Sequence, residues 1–157
     1  MSRRSLEKAL PAGERVLLDS TTLIAYLNGG EKASVVAEHV VDALVKSGRN
    51  PAVVSMVTVM EILVRPRRRS LAHYDHAIDF LSNFPNLEAQ RIDLAVAQEA
   101  ATIRALYNLS PPDALVVATG IIGQVAHLVS NDKEWATKLR PLGSRVTVCR
   151  LDDHLPW

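Results

Sequence analysis

Apolar residues along the chain fall into short unbroken runs that alternate with longer stretches of helical period. The runs at 15–18, 52–57, 125–130 and 145–150 predict strands, with 87–92 a weaker one, and the β-branched, unpunctuated run at 52–57 suits a strand buried on both faces. Between them, Val36, Val40 and Leu44 recur at i, i+4, i+8 and predict a helix over 33–46. Leu71, Tyr74, Ile78 and Leu81 do the same for 70–83, and Val96, Ala100, Ile103 and Tyr107 for 94–108. Shorter helices are predicted at 22–27, at 58–64 (closing before Pro66), at 112–122 behind Pro111 and Pro112, and at 132–139. Strands alternating with helices predict an α/β fold with a parallel sheet covered on both faces. Residues 1–14, polar with Pro11 and Gly13, read as a loose, flexible arm, leaving 15–157 as one domain.

A length of 157 residues suits a single domain, and 48% hydrophobic with 22% charged residues excludes a disordered chain. Two Trp, three Tyr and two Phe leave the core to aliphatic side chains and argue against an extended base-stacking platform. The lone Cys149 excludes an intrachain disulfide and a multi-cysteine zinc site, and suits a reducing compartment as an inert buried thiol. The five histidines show no metal-ligand spacing. The longest stretch without formal charge, 114–131, is interrupted by Gly120, Gly123, Gln124 and His127, so it reads as a buried helix followed by a strand rather than a membrane span. With no apolar leader in the first fifteen residues, the expectation is a soluble cytoplasmic protein with no membrane contact. A net charge of +1 is uninformative, but Arg65, Arg67, Arg68 and Arg69 cluster behind one predicted helix. They read evenly as a solvated helix end or as a grip on RNA phosphates.

In a parallel sheet, helix N-termini lie at the edge where strands end, and ligands bind there. Four acids fall at that edge by sequence position. Asp19 and Asp132 each follow a strand, and Glu61 and Asp113 fall in the first turns of predicted helices, with separations of 42, 52 and 19 residues. Singly, each has a plain explanation as a cap or a capping-box acid. Together they repel unless a cation sits among them, and no Lys or His lies within three residues of Asp19, Glu61 or Asp113. A hard divalent cation, Mg²⁺ or Mn²⁺, answers that need, and such sites act on phosphodiesters.

Four segments carry a resemblance to a family: residues 16–27 (VLLDSTTLIAYL), 55–63 (SMVTVMEIL), 112–119 (PDALVVAT) and Ser130-Asn131-Asp132. In this order they resemble the PIN-domain ribonucleases of the VapC toxin type. The resemblance implies a three-layer α/β/α sandwich, and it implies that Asp19, Glu61, Asp113 and Asp132 are the metal-binding, catalytic acids. It further implies endoribonuclease activity, a homodimer and a cognate antitoxin. Thr21 and Ser130 stand where the family often has Asn or Ser and Thr, and both keep a small polar group. Gly120 replaces a common Ala.

Two other enzyme classes also place an Asp after the first strand. An aspartyl-phosphate phosphatase wants a second Asp two residues on, where Thr21 stands, and a receiver-like domain wants acids near that strand end, where Val16-Leu17-Leu18 supplies none. The non-enzymatic alternative is a catalytically silent PIN-like module that binds RNA or a protein.

Overall fold

The computed structural model describes residues 3–157. Five parallel strands, β1 (Val16–Leu18), β2 (Ala52–Ser55), β3 (Leu87–Gln90), β4 (His127–Ser130) and β5 (Thr147–Arg150), form one sheet in the order β3-β2-β1-β4-β5. Helices α1 (Arg3–Ala9), α2 (Ser20–Asn28), α3 (Ser34–Glu38), α4 (Met56–Arg69), α5 (Leu71–Asn83), α6 (Leu94–Tyr107), α7 (Pro111–Ile122) and α8 (Lys133–Lys138) supply the outer layers. The π-helical turn His39–Val45 continues α3.

Strand pleating divides the core in two. Val16 and Leu18 of β1, Val54 of β2 and Val129 of β4 point to one side, where they meet Leu23 of α2, Val36 of α3, Val40 and Leu44 of the π-helical turn, and Leu81 of α5. Leu17, Val53 and Leu128 point to the other, against Val96 and Ile103 of α6, Val117 of α7 and Trp135 of α8. This is the three-layer α/β/α arrangement expected, with a sheet that is wholly parallel. Gly120 lets α7 lie close on the sheet, since a Cβ there would stand 2.9 Å from Leu128 Cδ2 and 3.1 Å from Val125 Cγ2.

Several boundaries differ from the sequence expectations, each for a local reason. β2 stops at Ser55 because its hydroxyl accepts the Val57 N–H and caps α4, which therefore begins at Met56 rather than at 58. α4 also runs through Pro66 to Arg69. Proline near a helix end removes one backbone donor, and here the helix continues until Ser70 caps the next one. The arginine cluster thus forms the last turn of α4 instead of following it.

Residues 3–14 are the largest correction. Far from a loose arm, they form α1 and a turn bolted to the body. Leu6 and Leu10, at i and i+4, are fully buried. Arg49 donates to the Leu10 carbonyl at 2.8 Å, and Asn50 Nδ2 donates to the carbonyls of Pro11 and Glu14 at 2.7 and 2.9 Å. Burial of an aliphatic pair offsets the ordering of so short a helix. Leu6→Ala is expected to cost about 2–4 kcal/mol in urea unfolding, with the m-value unchanged; a cost under about 0.5 kcal/mol would mark the segment as unattached.

Candidate functional site

The strand order reverses between β1 and β4, which opens a crevice beyond their C-terminal ends. Asp19 sits there as the N-cap of α2, and only 4% of it is exposed. Its carboxylate accepts hydrogen bonds from Ser130 Oγ at 2.5 Å, from the Thr22 N–H at 2.9 Å and from Thr21 Oγ1, 2.8 Å from one oxygen and 2.9 Å from the other. The same two hydroxyls reach across to the β4–α8 turn. Thr21 Oγ1 accepts the Asn131 N–H at 2.7 Å, and Ser130 Oγ accepts the Asp132 N–H at 3.0 Å. The ends of β1 and β4 are therefore stitched together through one buried carboxylate.

Burial pushes the Asp19 carboxyl above its usual range, and the hydrogen bonds from Ser130, Thr22 and Thr21 oppose that rise. No Lys, Arg or His among the described residues neutralises it. Keeping a carboxylate ionised in such a place costs stability that a cation would restore.

The other three acids share the edge but differ in their surroundings. Asp132 caps α8, accepting the Glu134 N–H at 2.8 Å, so the plain capping role is real for it. Asp113, half-buried, lies in the first turn of α7, whose cap is Ser110. Its carboxylate has no hydrogen-bond or ion-pair partner among the described residues. Asp113 and Asp132 both act electrostatically on the ammonium of Lys138, which bonds Glu134 at 2.6 Å. Glu61 lies in the second turn of α4 instead of the first, because the cap is Ser55 and Thr58 is buried inside the helix. Its carboxylate is likewise without a partner among the described residues. It lines a groove of about 210 Å³ between α2, α4 and α5, floored by Ile24, Leu27, Ile62 and Ala77.

The donor set is one of hard carboxylate oxygens, which fits Mg²⁺ or Mn²⁺ in kind. Among the described residues, however, no three acidic, histidine or cysteine side chains converge closely enough to hold a metal ion. Thr21 and Ser130 bring Asp19 to the Asp132 backbone; nothing draws Glu61 in to join them.

Of the arginines, Arg65, Arg67, Arg68 and Arg69 are all exposed. Arg65 and Arg69 line the groove, while the Arg67 guanidinium stands 5.6 Å over the Tyr74 ring. His73 and His76 line the same groove. His127 is tied to Thr147 at 2.6 Å and to Glu14 at the far end of the sheet. Cys149 is buried, and desolvation pushes its thiol up to about 12, which makes it inert at neutral pH. Sequence reasoning missed Lys138 and Asp152, and gave Asn131, quoted within Ser130-Asn131-Asp132, no role of its own. Asp152 carried a usable signal, since it follows β5 as Asp19 follows β1 and Asp132 follows β4.

A family model for the PIN domain matches residues 16–138. The chain belongs to the PIN domain family. A search of curated proteins gives no match. Among solved structures, the chain is similar to a toxin–antitoxin complex from Klebsiella pneumoniae, at 20% identity and a TM-score of 0.66, over 87% of this chain and 97% of that one. It is also similar to FitAcB from Neisseria gonorrhoeae (18% identity, TM-score 0.64, 87% and 97% covered). A third likeness is to VapC20 from Mycobacterium tuberculosis, a sarcin-ricin loop cleaving toxin (14% identity, TM-score 0.59, 76% and 92% covered). At these identities the likenesses concern the fold. Among the described residues, no helix is long and apolar enough to cross a membrane; the uncharged stretch is α7 followed by β4.

The raised pKa of Asp19 has a measurable sign. A carboxyl whose folded pKa exceeds its unfolded value contributes most stability below the unfolded pKa and loses it as pH rises through the folded one. In chelator-treated buffer, Asp19→Asn is therefore expected to melt above the parent protein at pH 7, with the gain shrinking as pH falls toward 4. Melting curves across that range check it; a mutant that melts lower at pH 7 would mean the carboxylate is worth more than its desolvation.

Proposed function

We propose that this chain is a Mg²⁺- or Mn²⁺-dependent endoribonuclease, and the toxin of a type II toxin–antitoxin pair. The observation that carries the reading is Asp19, a buried carboxylate with no cationic partner at the reversal point of a parallel sheet, in a PIN domain whose three further acids share its edge. Asp19, Glu61, Asp113 and Asp132 would hold the cation. When bound, it supplies charge neutralisation at the phosphodiester and activation of the attacking water. The chain's own contributions are separate. Thr21 and Ser130 orient the Asp19 carboxylate, and the N-termini of α2 and α7 favour negative charge at the same edge. Arg67 and Arg68 in the exposed last turn of α4 grip RNA phosphates, and Arg65 and Arg69 extend that basic face into the groove.

The antitoxin fits the groove between α2, α4 and α5. An apolar floor takes one face of an amphipathic helix, and a basic residue on that segment would meet Glu61, the one of the four acids that lines the groove. The toxin–antitoxin complex from Klebsiella pneumoniae supports such a partner for a protein of this fold. A homodimer follows from the family resemblance, and a cytoplasmic location suits both an RNA substrate and a free thiol.

The spacing of the acids favours one second reading, a silent PIN-like module that binds RNA or a protein without cutting. Two measurements separate the readings. Mg²⁺ or Mn²⁺ is expected to raise the melting temperature of the parent protein and leave Asp113→Asn nearly unmoved. Asp19→Asn and Asp113→Asn are each expected to abolish cleavage of RNA while remaining folded; full activity of either purified variant in Mn²⁺ would remove that residue from the site.

The arginines are tested by salt. Replacing Arg67, Arg68 and Arg69 together by Ala is expected to weaken RNA binding and reduce the log–log salt slope by about 0.7 for each phosphate no longer neutralised. An unchanged slope in filter-binding titrations would leave them as a solvated helix end.

A further inference from the structure

One connection at the sheet edge reaches outside the segment that matches the PIN model, which ends at residue 138. After β5 the chain makes a tight 3₁₀ turn, Leu151–His154. Asp152 in that turn bonds Asn131 reciprocally. Its backbone N–H donates to Asn131 Oδ1 at 3.1 Å, and its Oδ1 accepts from Asn131 Nδ2 at 3.3 Å. Arg150 braces the second oxygen at 3.1 Å and Asp153 at 3.1 Å, and Arg150 stands opposite Ser130 in the β4–β5 register. Asn131 thus has both ends committed: its side chain to Asp152, its backbone N–H to Thr21 Oγ1, which donates in turn to Asp19.

We propose that Asp152 is a positioning residue, which fixes the β4–α8 turn through Asn131 and so holds Thr21 and the Asp19 carboxylate in place for RNA hydrolysis. The catalytic part of this inference rests on the nuclease reading above. The mechanical part does not. The β4–α8 turn is held by Ser130, Thr21 and the Asp132 cap, and the Asn131 side chain joins it to the C-terminal turn. A Thr hydroxyl rotates freely unless both its donor and acceptor roles are assigned, and here the Asn131 N–H fixes the acceptor side so that the proton points at Asp19. Asp152 acts on Asp19 through two intervening residues, Asn131 and Thr21, and outer partners of a functional group commonly matter about tenfold or more.

The test uses the full chain with Asp152→Ala, Asn131→Ala, the double variant and Asp152→Asn, which keeps an acceptor for Asn131. Amide hydrogen exchange of residues 19–23 and 129–132 is measured well below the melting temperature, alongside kcat and KM on an RNA substrate in Mg²⁺. Asp152→Ala and Asn131→Ala are expected to speed exchange in both segments and to lower kcat about tenfold with KM within about twofold. The double variant is expected to be no worse than either single one, and Asp152→Asn to recover most of the activity. Unchanged exchange at 19–23 would overturn the proposal. So would faster exchange with kcat intact, since the bond between Asp152 and Asn131 would then be merely stabilising. If exchange responds as expected but the parent protein cuts no RNA, the nuclease reading fails alone and the coupling of Asp152 to Asp19 stands.

Discussion

Everything at the functional edge depends on keeping one carboxylate in a place where little water reaches it. Asp19 ends the central strand, and both neighbours of that strand are themselves central to the sheet. Two hydroxyls and one backbone amide are what the protein offers it. Neutral donors soften the desolvation cost without cancelling it, because they supply dipoles rather than a counter-charge. The hydroxyls serve twice, accepting amides from the β4–α8 turn while donating to the acid, so the electrostatic problem and the joining of β1 to β4 have one solution.

The two faces of the sheet solve different problems. On the side of α6 and α7 the helices lie tight, with Gly120 admitting α7 and Trp135 closing the layer. On the side of α2, α4 and α5 the packing leaves an apolar groove with Arg65, Arg69, His73 and His76 on its walls. Large apolar side chains are exposed on both sides, Leu27, Met60 and Val64 on α2 and α4, and Leu94 and Leu106 on α6.

The inner strands were legible because β1 and β2 are apolar runs buried along their whole length, whereas β3 and β5 carry polar residues and are only partly buried; the order of elements then dictated a parallel sheet. What the pattern could not resolve was competition at the joints. Ser55 could extend a strand or cap a helix, and Pro66 could end a helix or ride in its last turns; tertiary packing decides each case. Residues 1–14 looked loose because two leucines among charged neighbours make a weak signal until a surface exists to receive them. At the site, the rule that acids collect where strands end found Asp19, Asp113 and Asp132 at one edge. It misplaced Glu61 by a turn and did not show that the acids stand apart, because convergence is a matter of side-chain direction that spacing does not encode.

The stitching of β1 to β4 also has a temporal side. Val16–Leu18 pairs in register with residues 127–129, more than a hundred positions later in the chain. Contacts of such long range form late, after the loop between them has been closed. During synthesis Asp19 is made early beside its local partners Thr21 and Thr22, and it waits for Ser130 until most of the domain has emerged. The order in which the ribosome delivers the chain therefore acts as a built-in delay, and the edge that gathers the negative charge is completed only once residues 130–132 have been made.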